Sequence, residues 1–238
     1  MNEVLILSGA GLSAESGLRT FRDSGGLWEE YSVAEICSIP GFQRDRQKVL
    51  DFYDKRRAQL ADVAPNAAHE MVARVARRWG GHVSVMTQNV DDLLERAGCP
   101  RVVHLHGFLP EIYCEKCGRI VNIGYRSQAG ELCPSCGTPT MRHNIVMFGE
   151  QAPFYRNLWE AISVARLFVC IGTSGEVLDV ASFADAIGNS ILNNYEQSRL
   201  DRHFTRCYIE AATKASGKIE RDIDEFLSAL GFTPNPEI

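Results

Sequence analysis

The stretch that decides the fold is residues 4–14, which read VLILSGAGLSA. The apolar run at its start predicts a buried β-strand, and residues 9–14 match the pattern G-x-G-x-x-G/A. Small residues in such a turn let the backbone approach a pyrophosphate, whose charge is stabilised by the N-terminus of the next helix. A tight strand-to-helix turn without a ligand is the alternative. Glu29 and Glu30 do not end a plausible second strand, so an ordinary Rossmann dehydrogenase is a poor fit.

Short apolar runs alternate with helical patterns along the rest of the chain. Buried strands are predicted at 4–7, 83–86, 102–105, 145–148 and 167–171, and helices near 46–61, 66–79, 90–97, 154–166 and 216–230. Strands that alternate with helices imply an α/β fold with a doubly wound, mostly parallel sheet. We expect a Rossmann-like core in three parts, interrupted by a helical insert and a small domain. The core parts are 1–23, 71–109 and 143–238, the helical insert is 24–70 and the small domain is 110–142.

Composition and charge exclude several classes of protein. The 238 residues are 45% hydrophobic and 23% charged, as in an ordinary globular protein, and the formal charge of −5 argues against nucleic-acid binding by bulk electrostatics. Arg74, Arg77 and Arg78 form one candidate basic patch, for which a solvated helix face is the more ordinary interpretation. No apolar stretch reaches membrane-spanning length, and the N-terminal run lacks the features of a signal peptide. We therefore expect a cytoplasmic monomer with no membrane partner and no direct nucleic-acid partner.

Four cysteines form two C-x-x-C pairs. Cys114 and Cys117 make the first pair, and Cys133 and Cys136 make the second, after the spacer 118–132. This spacing is typical of a zinc ribbon, in which each pair presents two thiolates to one ion. Two such pairs complete a tetrahedral site with no open position, so the predicted role of one Zn²⁺ is structural.

Several further motifs occur in a fixed order. They are the continued glycine loop at 9–22, PNAAH at 65–69, TQNVD at 87–91, HLHG at 104–107, the two C-x-x-C pairs, FGE at 148–150 and GTS at 172–174. This ordered set closely resembles the sirtuins, the NAD-dependent protein lysine deacylases, from residue 4 to about residue 230. The resemblance implies a Rossmann-like large domain and a small zinc domain, with NAD and an acyl-lysine peptide entering the cleft between them. It also implies that NAD is consumed, which gives nicotinamide, O-acyl-ADP-ribose and free lysine.

The resemblance assigns catalysis to His106 and Asn89. His106 would act as a general base through the ribose hydroxyls, because an imidazole titrates near neutrality and can accept a proton at working pH. Without the resemblance, a single histidine after a strand would more ordinarily be structural. We expect that structural role for the neighbouring His104.

The resemblance also implies a set of cofactor contacts. Gln88, Asn89 and Asp91 would hold the nicotinamide ribose and carboxamide region, although Asn and Asp are also good helix caps. Phe21 would shield the reactive sugar carbon from water, and Arg22 would lie near the phosphates. The remaining predicted cofactor residues are Gly9, Ala10, Gly11, Glu15, Gly172, Thr173, Ser174, Asn194 and Ala215.

One pair of side chains bears on the acyl group. Tyr53 and Arg56 lie three residues apart on a predicted helix and therefore share a face, and a guanidinium with a phenol suits a carboxylate. The pair matches the Y-x-x-R of the sirtuin class that removes succinyl, malonyl and glutaryl groups, and Ala14 widens the pocket as in that class. Deacetylation is compatible with the pair, and an exposed basic helix face is the alternative. Arg57 is rotated about 100° further around the helix and suits the role less well. The other predicted substrate-binding residues are Val146, Phe148 and Val177.

The sequence also departs from the family pattern. Leu94 stands where relatives of this class have His, His143 and Asp179 each replace a usual Pro, and residues 189–215 match only loosely. Two other functions remain open from the sequence. One is an ADP-ribosyltransferase or NAD hydrolase that uses the same cleft. The other is a non-catalytic acyl-lysine reader, which would bind its ligand without releasing nicotinamide.

Overall fold

The protein was analysed as a computed structural model that describes residues 2–18 and 32–236. Its strands are β1 (Val4–Ser8), β2 (Val83–Thr87), β3 (Val103–His104), β4 (Gly107–Cys114), β5 (Ile120–Asn122), β6 (Met141–Ile145), β7 (Leu167–Ile171), β8 (Ser190–Asn194) and β9 (Arg206–Ile209). Its helices are α1 (Gly11–Ala14), α2 (Val33–Ile36), α3 (Ile39–Arg44), α4 (Arg46–Gln59), α5 (Ala67–Trp79), α6 (Leu93–Arg96), α7 (Tyr155–Val164), α8 (Val180–Ile187) and α9 (Ala212–Ala229). Short 3₁₀ turns occur at Leu60–Asp62, Gly80–His82 and Asp201–His203.

The larger sheet is parallel, with the strand order β3-β2-β1-β7-β8-β9. Alternate residues of β1 face opposite sides of it. Val4 and Ile6 pack in the core cluster that includes residues of α5 and α9, whereas Leu5 and Leu7 pack with residues of α7 and α8. Helices thus cover both faces, which explains the continuous apolar run of β1. The doubly wound α/β fold expected from the sequence is confirmed.

The smaller sheet is antiparallel, in the order β5-β4-β6, and adjoins the cysteine pairs. The prediction of a buried strand at 145–148 is wrong. β6 ends at Ile145 and pairs with β4, and Phe148 makes only an isolated bridge to Ser38. The apolar run has another cause, because Ile145 and Met147 belong to the core of the helical segment α2–α4.

Other boundaries also differ from the predicted ones. The helix predicted at 90–97 is reduced to α6, and the last helix begins earlier, at Ala212. Three elements, β8, β9 and α8, do not follow from the sequence patterns. These elements are short, and their burial depends on neighbours far away in the chain.

The candidate basic patch on α5 is paired within the fold. Arg74 and Arg78 form ion pairs with Glu220 on α9, and Arg77 donates to the carbonyl of Gly98. Residues 2–18 and 32–236 contain no helix that is both long enough and apolar enough to cross a bilayer.

Candidate active site

The candidate site is a cavity of about 280 Å³ at the carboxyl end of the parallel sheet. It brings together residues from the glycine loop, the segment after β2, helix α4 and the segment after β6. The predicted site residues that line it are Ala10, Tyr53, Arg56, Gln88, Asn89, Asp91, His106, Val146, Phe148 and Val177. One cavity therefore joins the predicted catalytic, cofactor and acyl-binding groups.

The strand order explains the position of the cofactor loops. From β1 the sheet extends to β2 on one side and to β7 on the other, and ligands of open α/β sheets bind at such a switch point. The loops after β1 and β7 contact each other closely, since the Gly11 amide donates to the Gly172 carbonyl over 2.9 Å. A Cβ on Gly172 would lie 2.5 Å from the Leu12 nitrogen, and its φ of +67° also requires glycine. These glycines thus let the two loops meet.

Other predicted cofactor residues lie around these loops. The Thr173 hydroxyl accepts from Gln88 over 3.1 Å, and Asn194 donates to the Thr173 carbonyl over 3.0 Å. The Glu15 carboxylate accepts from the Thr213 amide at the start of α9. Ala215 is fully buried in the core and offers no surface to a ligand.

Several other predicted site residues do not line the cavity or lie outside the described residues. Gly9, Gly172 and Ser174 belong to the loops at the switch point and do not line the cavity. Ala14 is exposed and does not line it either. Phe21 and Arg22 lie outside the described residues.

Ser13 connects polar side chains from the segment after β2 with helix α5. Its buried hydroxyl donates to Asp91 Oδ2 over 2.9 Å and accepts from Asn89 Nδ2 over 3.0 Å. His69 Nδ1 accepts from the Asn66 amide, so the proton of the neutral ring is on Nε2, which donates to Ser13 over 3.2 Å. The hydroxyl therefore has all its partners, and these fix Asn89 and Asp91 relative to α5.

Burial shifts the pKa values of two members of this network. It raises the pKa of Asp91, and the hydrogen bonds from Ser13 and the Leu93 amide oppose that rise. It lowers the pKa of His69 to about 4, so the ring is neutral near pH 7. No role for Ser13 or His69 follows from the sequence patterns alone. The only indication was that both stand within motifs, in the glycine loop and PNAAH.

The two histidines after β3 occupy different environments. His104 Nδ1 lies 2.9 Å from the Asn89 carbonyl and Nε2 lies 2.7 Å from the Glu95 carboxylate. Burial lowers the pKa of His104, but these acceptors outweigh burial and raise it overall. Its ring thus links the segment after β2 to helix α6, as a structural histidine does.

His106 instead faces the cavity. Its Nδ1 lies 3.2 Å from the Gln88 carbonyl, and its Nε2 lies 3.0 Å from the Tyr155 hydroxyl. Burial lowers its pKa, and the hydrogen bond to Gln88 partly opposes this. His106 and Tyr155 both line the cavity, and a neutral imidazole there can act as a base.

Helix α4 carries the acyl-binding candidates. The buried Tyr53 ring stacks on His143 with centroids 4.1 Å apart, and its hydroxyl donates to Cys37 Sγ over 3.4 Å. Arg56 also lines the cavity, and burial lowers its pKa. Arg57 is fully buried outside the cavity lining, where it donates to the Leu109 carbonyl over 2.7 Å and pairs with Asp54. The face of α4 towards the cavity thus presents Tyr53 and Arg56, as predicted.

The four cysteines of the small sheet meet as a cluster. Their sulfur atoms all lie within 4.8 Å of one another, with Cys117 and Cys133 at 3.5 Å and Cys114 and Cys136 at 3.7 Å. Zn–S bonds of about 2.3 Å in a tetrahedron place the sulfurs about 3.8 Å apart. The donor set and its spacing therefore fit one tetrahedral Zn²⁺.

Comparison with known proteins agrees with this geometry. The family model for the Sir2 family matches residues 9–179. An NAD-dependent protein deacylase of Campylobacter jejuni is 56% identical over 228 residues, which cover 95% of this chain and 98% of that protein. A protein of the same name from Helicobacter hepaticus is 38% identical and covers 95% and 99% of the two chains.

Solved structures give the same result. A Sir2 homologue in complex with NAD has a TM-score of 0.83 at 31% identity and covers 94% of this chain and 90% of that chain. A Sir2 homologue mutant in complex with ADP ribose has a TM-score of 0.84 at 30% identity. The match covers 94% of this chain and 93% of that chain. By sequence and by structure, the chain belongs to the Sir2 family.

Proposed function

We propose that this protein is an NAD-dependent protein deacylase that acts on lysines carrying succinyl, malonyl or glutaryl groups and also on acetyl-lysine. Its products are nicotinamide, O-acyl-ADP-ribose and free lysine. The observation that carries the proposal is the single cavity that is lined both by His106 and Asn89 and by Tyr53 and Arg56.

In this reaction NAD supplies an electrophilic ribose carbon once nicotinamide leaves. Ala10, Gln88, Asn89 and Asp91 would hold the nicotinamide end beside the switch-point loops. His106 Nε2 would accept the proton of a ribose hydroxyl, since a neutral hydroxyl is a poor nucleophile.

The peptide is expected to bind between Val146, Phe148 and Val177, the latter two of which are half exposed at the rim. Backbone pairing of an extended peptide at this rim would place its acyl-lysine inside the cavity. The apolar side chains that line the cavity would limit water around the reacting groups once both substrates are bound.

The acyl end would select for a carboxylate. A guanidinium binds a carboxylate through charge-assisted hydrogen bonds, and a neutral phenol adds a further donor. The pKa of Tyr53 is raised well above its usual value by burial, so it stays a neutral donor. An acetyl group offers no partner for either donor, so it would bind more weakly.

The test is a mass-spectrometric panel with NAD and peptides that carry acetyl-, succinyl-, malonyl- or glutaryl-lysine. In Arg56→Met, loss of a charged hydrogen bond of about 1.5–3 kcal/mol predicts a fall of about 10- to 150-fold in kcat/KM for the acidic acyl groups. Tyr53→Phe should act in the same direction with a smaller effect. Acetyl-lysine should be affected little in both variants. Lys55→Met is the matched control, because it removes a positive charge from an exposed position of the same helix.

Two outcomes would contradict the proposal. Turnover of acetyl-lysine alone by the wild-type protein would exclude the acidic acyl preference. NAD cleavage that needs no acylated peptide, or ADP-ribose attached to the peptide, would favour the hydrolase or ADP-ribosyltransferase alternative.

We also propose that the cysteine cluster binds one structural Zn²⁺ and that residues 110–142 form a small domain around it. A site made of four cysteine ligands leaves no open position for a substrate, so the ion would hold this domain together. In support, the core of this segment is small and consists of Ile112, Ile123 and Met141 with two of the cysteines. Metal analysis should find one zinc per chain.

The proposed working form is a cytoplasmic monomer without nucleic-acid or membrane partners. The formal charge of −5 and the pairing of the arginines on α5 support the absence of a nucleic-acid surface. Light scattering of the purified protein checks the monomer, and electrophoretic mobility of labelled DNA checks the absence of binding.

A further inference from the structure

Tyr155 makes a contact with His106 that no motif of the sequence indicates. It is the first residue of α7, which is held on the sheet by the buried Leu158 and Ala161. Its half-buried ring lines the cavity, and its hydroxyl lies 3.0 Å from His106 Nε2. The position of this hydroxyl is therefore set by the docking of a whole helix.

The direction of the hydrogen bond follows from the other side of the ring. His106 Nδ1 faces the Gln88 carbonyl, and a carbonyl can only accept, so Nδ1 carries the proton. In the neutral ring Nε2 then has the lone pair. The Tyr155 hydroxyl donates to it in the free protein and would yield this place to the ribose hydroxyl whose proton His106 accepts. When Nε2 is protonated, the same hydroxyl can turn and accept, because a phenol is both donor and acceptor. Burial also raises the pKa of Tyr155, so the hydroxyl stays intact as the histidine titrates.

We propose that Tyr155 is a positioning residue for the general base. Together with the Gln88 carbonyl, it fixes the rotation of the His106 ring about its own axis and the tautomer whose basic nitrogen is Nε2. It also stabilises the imidazolium that forms when His106 accepts a proton in a site where burial disfavours the charge. The inference rests on the proposed role of His106 and deepens it.

The perturbation is Tyr155→Phe, which keeps the ring and removes only the hydroxyl. Two effects are expected. The value of kcat with an acylated peptide should fall about tenfold, because the base loses one of the two contacts that orient it. The acid limb of the kcat/KM profile should move to lower pH by about half a unit or more. The protonated ring loses a charge-assisted hydrogen bond, which is roughly twice as strong as the one that the neutral ring loses.

The matched control is Tyr208→Phe. Its hydroxyl also bonds a side chain, Asp222 Oδ2 at 2.6 Å, but between β9 and α9 and outside the cavity lining. This variant should keep the wild-type kcat and acid limb. A second readout does not depend on activity. Long-range ¹H–¹⁵N spectra of the histidine rings should show His106 as a single Nδ1–H tautomer in the wild type and as a mixture of tautomers in Tyr155→Phe.

Different outcomes separate this inference from the function on which it rests. Normal turnover in His106→Ala would overturn the general base itself and the inference with it. An inactive His106→Ala combined with an unchanged acid limb and tautomer in Tyr155→Phe would overturn the inference alone. A higher kcat/KM for NAD in Tyr155→Phe would also overturn it, since the hydroxyl would then only obstruct the cofactor.

Discussion

Replacing Ser13 by alanine should disable the proposed NAD site around Asn89 and Asp91 while leaving the fold intact. The Ser13 hydroxyl has three polar partners, Asp91 at 2.9 Å, Asn89 at 3.0 Å and His69 at 3.2 Å. Its bond to Asp91 matters most, because that carboxyl is buried and burial already raises its pKa. Loss of a hydrogen bond to a charged group makes the carboxylate less favourable by about 1.5–3 kcal/mol.

This free energy sets the expected effect. If the hydrogen bonds of Ser13 hold Asp91 and Asn89 in the geometry that binds NAD, loss of this whole free energy should lower kcat/KM for NAD about 10- to 150-fold. Because the pKa of Asp91 rises further, the acid limb of kcat/KM should move to higher pH. The free energy of unfolding should fall by about 1–3 kcal/mol, as expected when a buried hydroxyl leaves its partners unsatisfied.

The assay is nicotinamide release with saturating acylated peptide and varied NAD, repeated across pH, with urea unfolding measured in parallel. Ser190→Ala is the matched control. Ser190 is also buried, and its hydroxyl oxygen accepts from the Thr205 amide over 3.2 Å on the β8 side of the sheet. It should lose about 1 kcal/mol of stability and no activity. Wild-type kinetics and an unshifted acid limb in Ser13→Ala would refute the reasoning.

Three further predictions concern stability. Gly172→Ala should destabilise the protein by more than about 2 kcal/mol and weaken NAD binding, measured by urea unfolding and calorimetry, because its Cβ would lie 2.5 Å from the Leu12 nitrogen at a φ of +67°. Zinc removal by a chelator should unfold the small sheet and leave the parallel sheet folded, as followed by hydrogen exchange of β4–β6; an unchanged exchange pattern would argue against a structural ion. Stability should fall by about 3 kcal/mol as the pH falls from 6.5 to about 4, because unfolded His69 binds a proton in that window and folded His69, with a pKa of about 4, does not. His69→Gln should reduce this pH dependence of urea unfolding, and an unchanged slope would contradict the shift.

Local patterns in the sequence were sufficient to predict the parts of the fold that depend on residues close together in the chain. The strands β1 and β7 are runs of four and five apolar residues, β2 is apolar at three of its five positions, and the cysteine cluster follows from two C-x-x-C pairs. β8 reads SILNN, in which Asn193 is buried because its amide donates to carbonyls of the β9 segment. Nothing within those five residues indicates such a partner, so the sequence does not predict the strand.

The site shows the same division between local and distant causes. Tyr53 and Arg56 share a helix face by spacing alone, which is why the sequence could pair them. Ser13 and His69 are 56 residues apart, and His106 and Tyr155 are 49 apart. These contacts depend on how α5 and α7 dock on the sheet, and docking is a property of tertiary packing rather than of any motif.

The charged side chains of the cavity suggest how the two proposed substrates would each bind at a separate position within it. Under the proposed function, Asp91 would lie near the nicotinamide ring of NAD, which carries a positive charge. Arg56 would meet the negative charge of a succinyl group, and the two side chains already interact electrostatically in the free protein. Binding of both substrates would give each charge a ligand of opposite sign, whereas an acetyl group would leave Arg56 with no new anion. The proposed dicarboxyl preference would then arise from the electrostatic balance of the whole cavity as well as from hydrogen bonds to Tyr53 and Arg56. Screening by salt should therefore weaken the binding of succinyl peptides more than that of acetyl peptides.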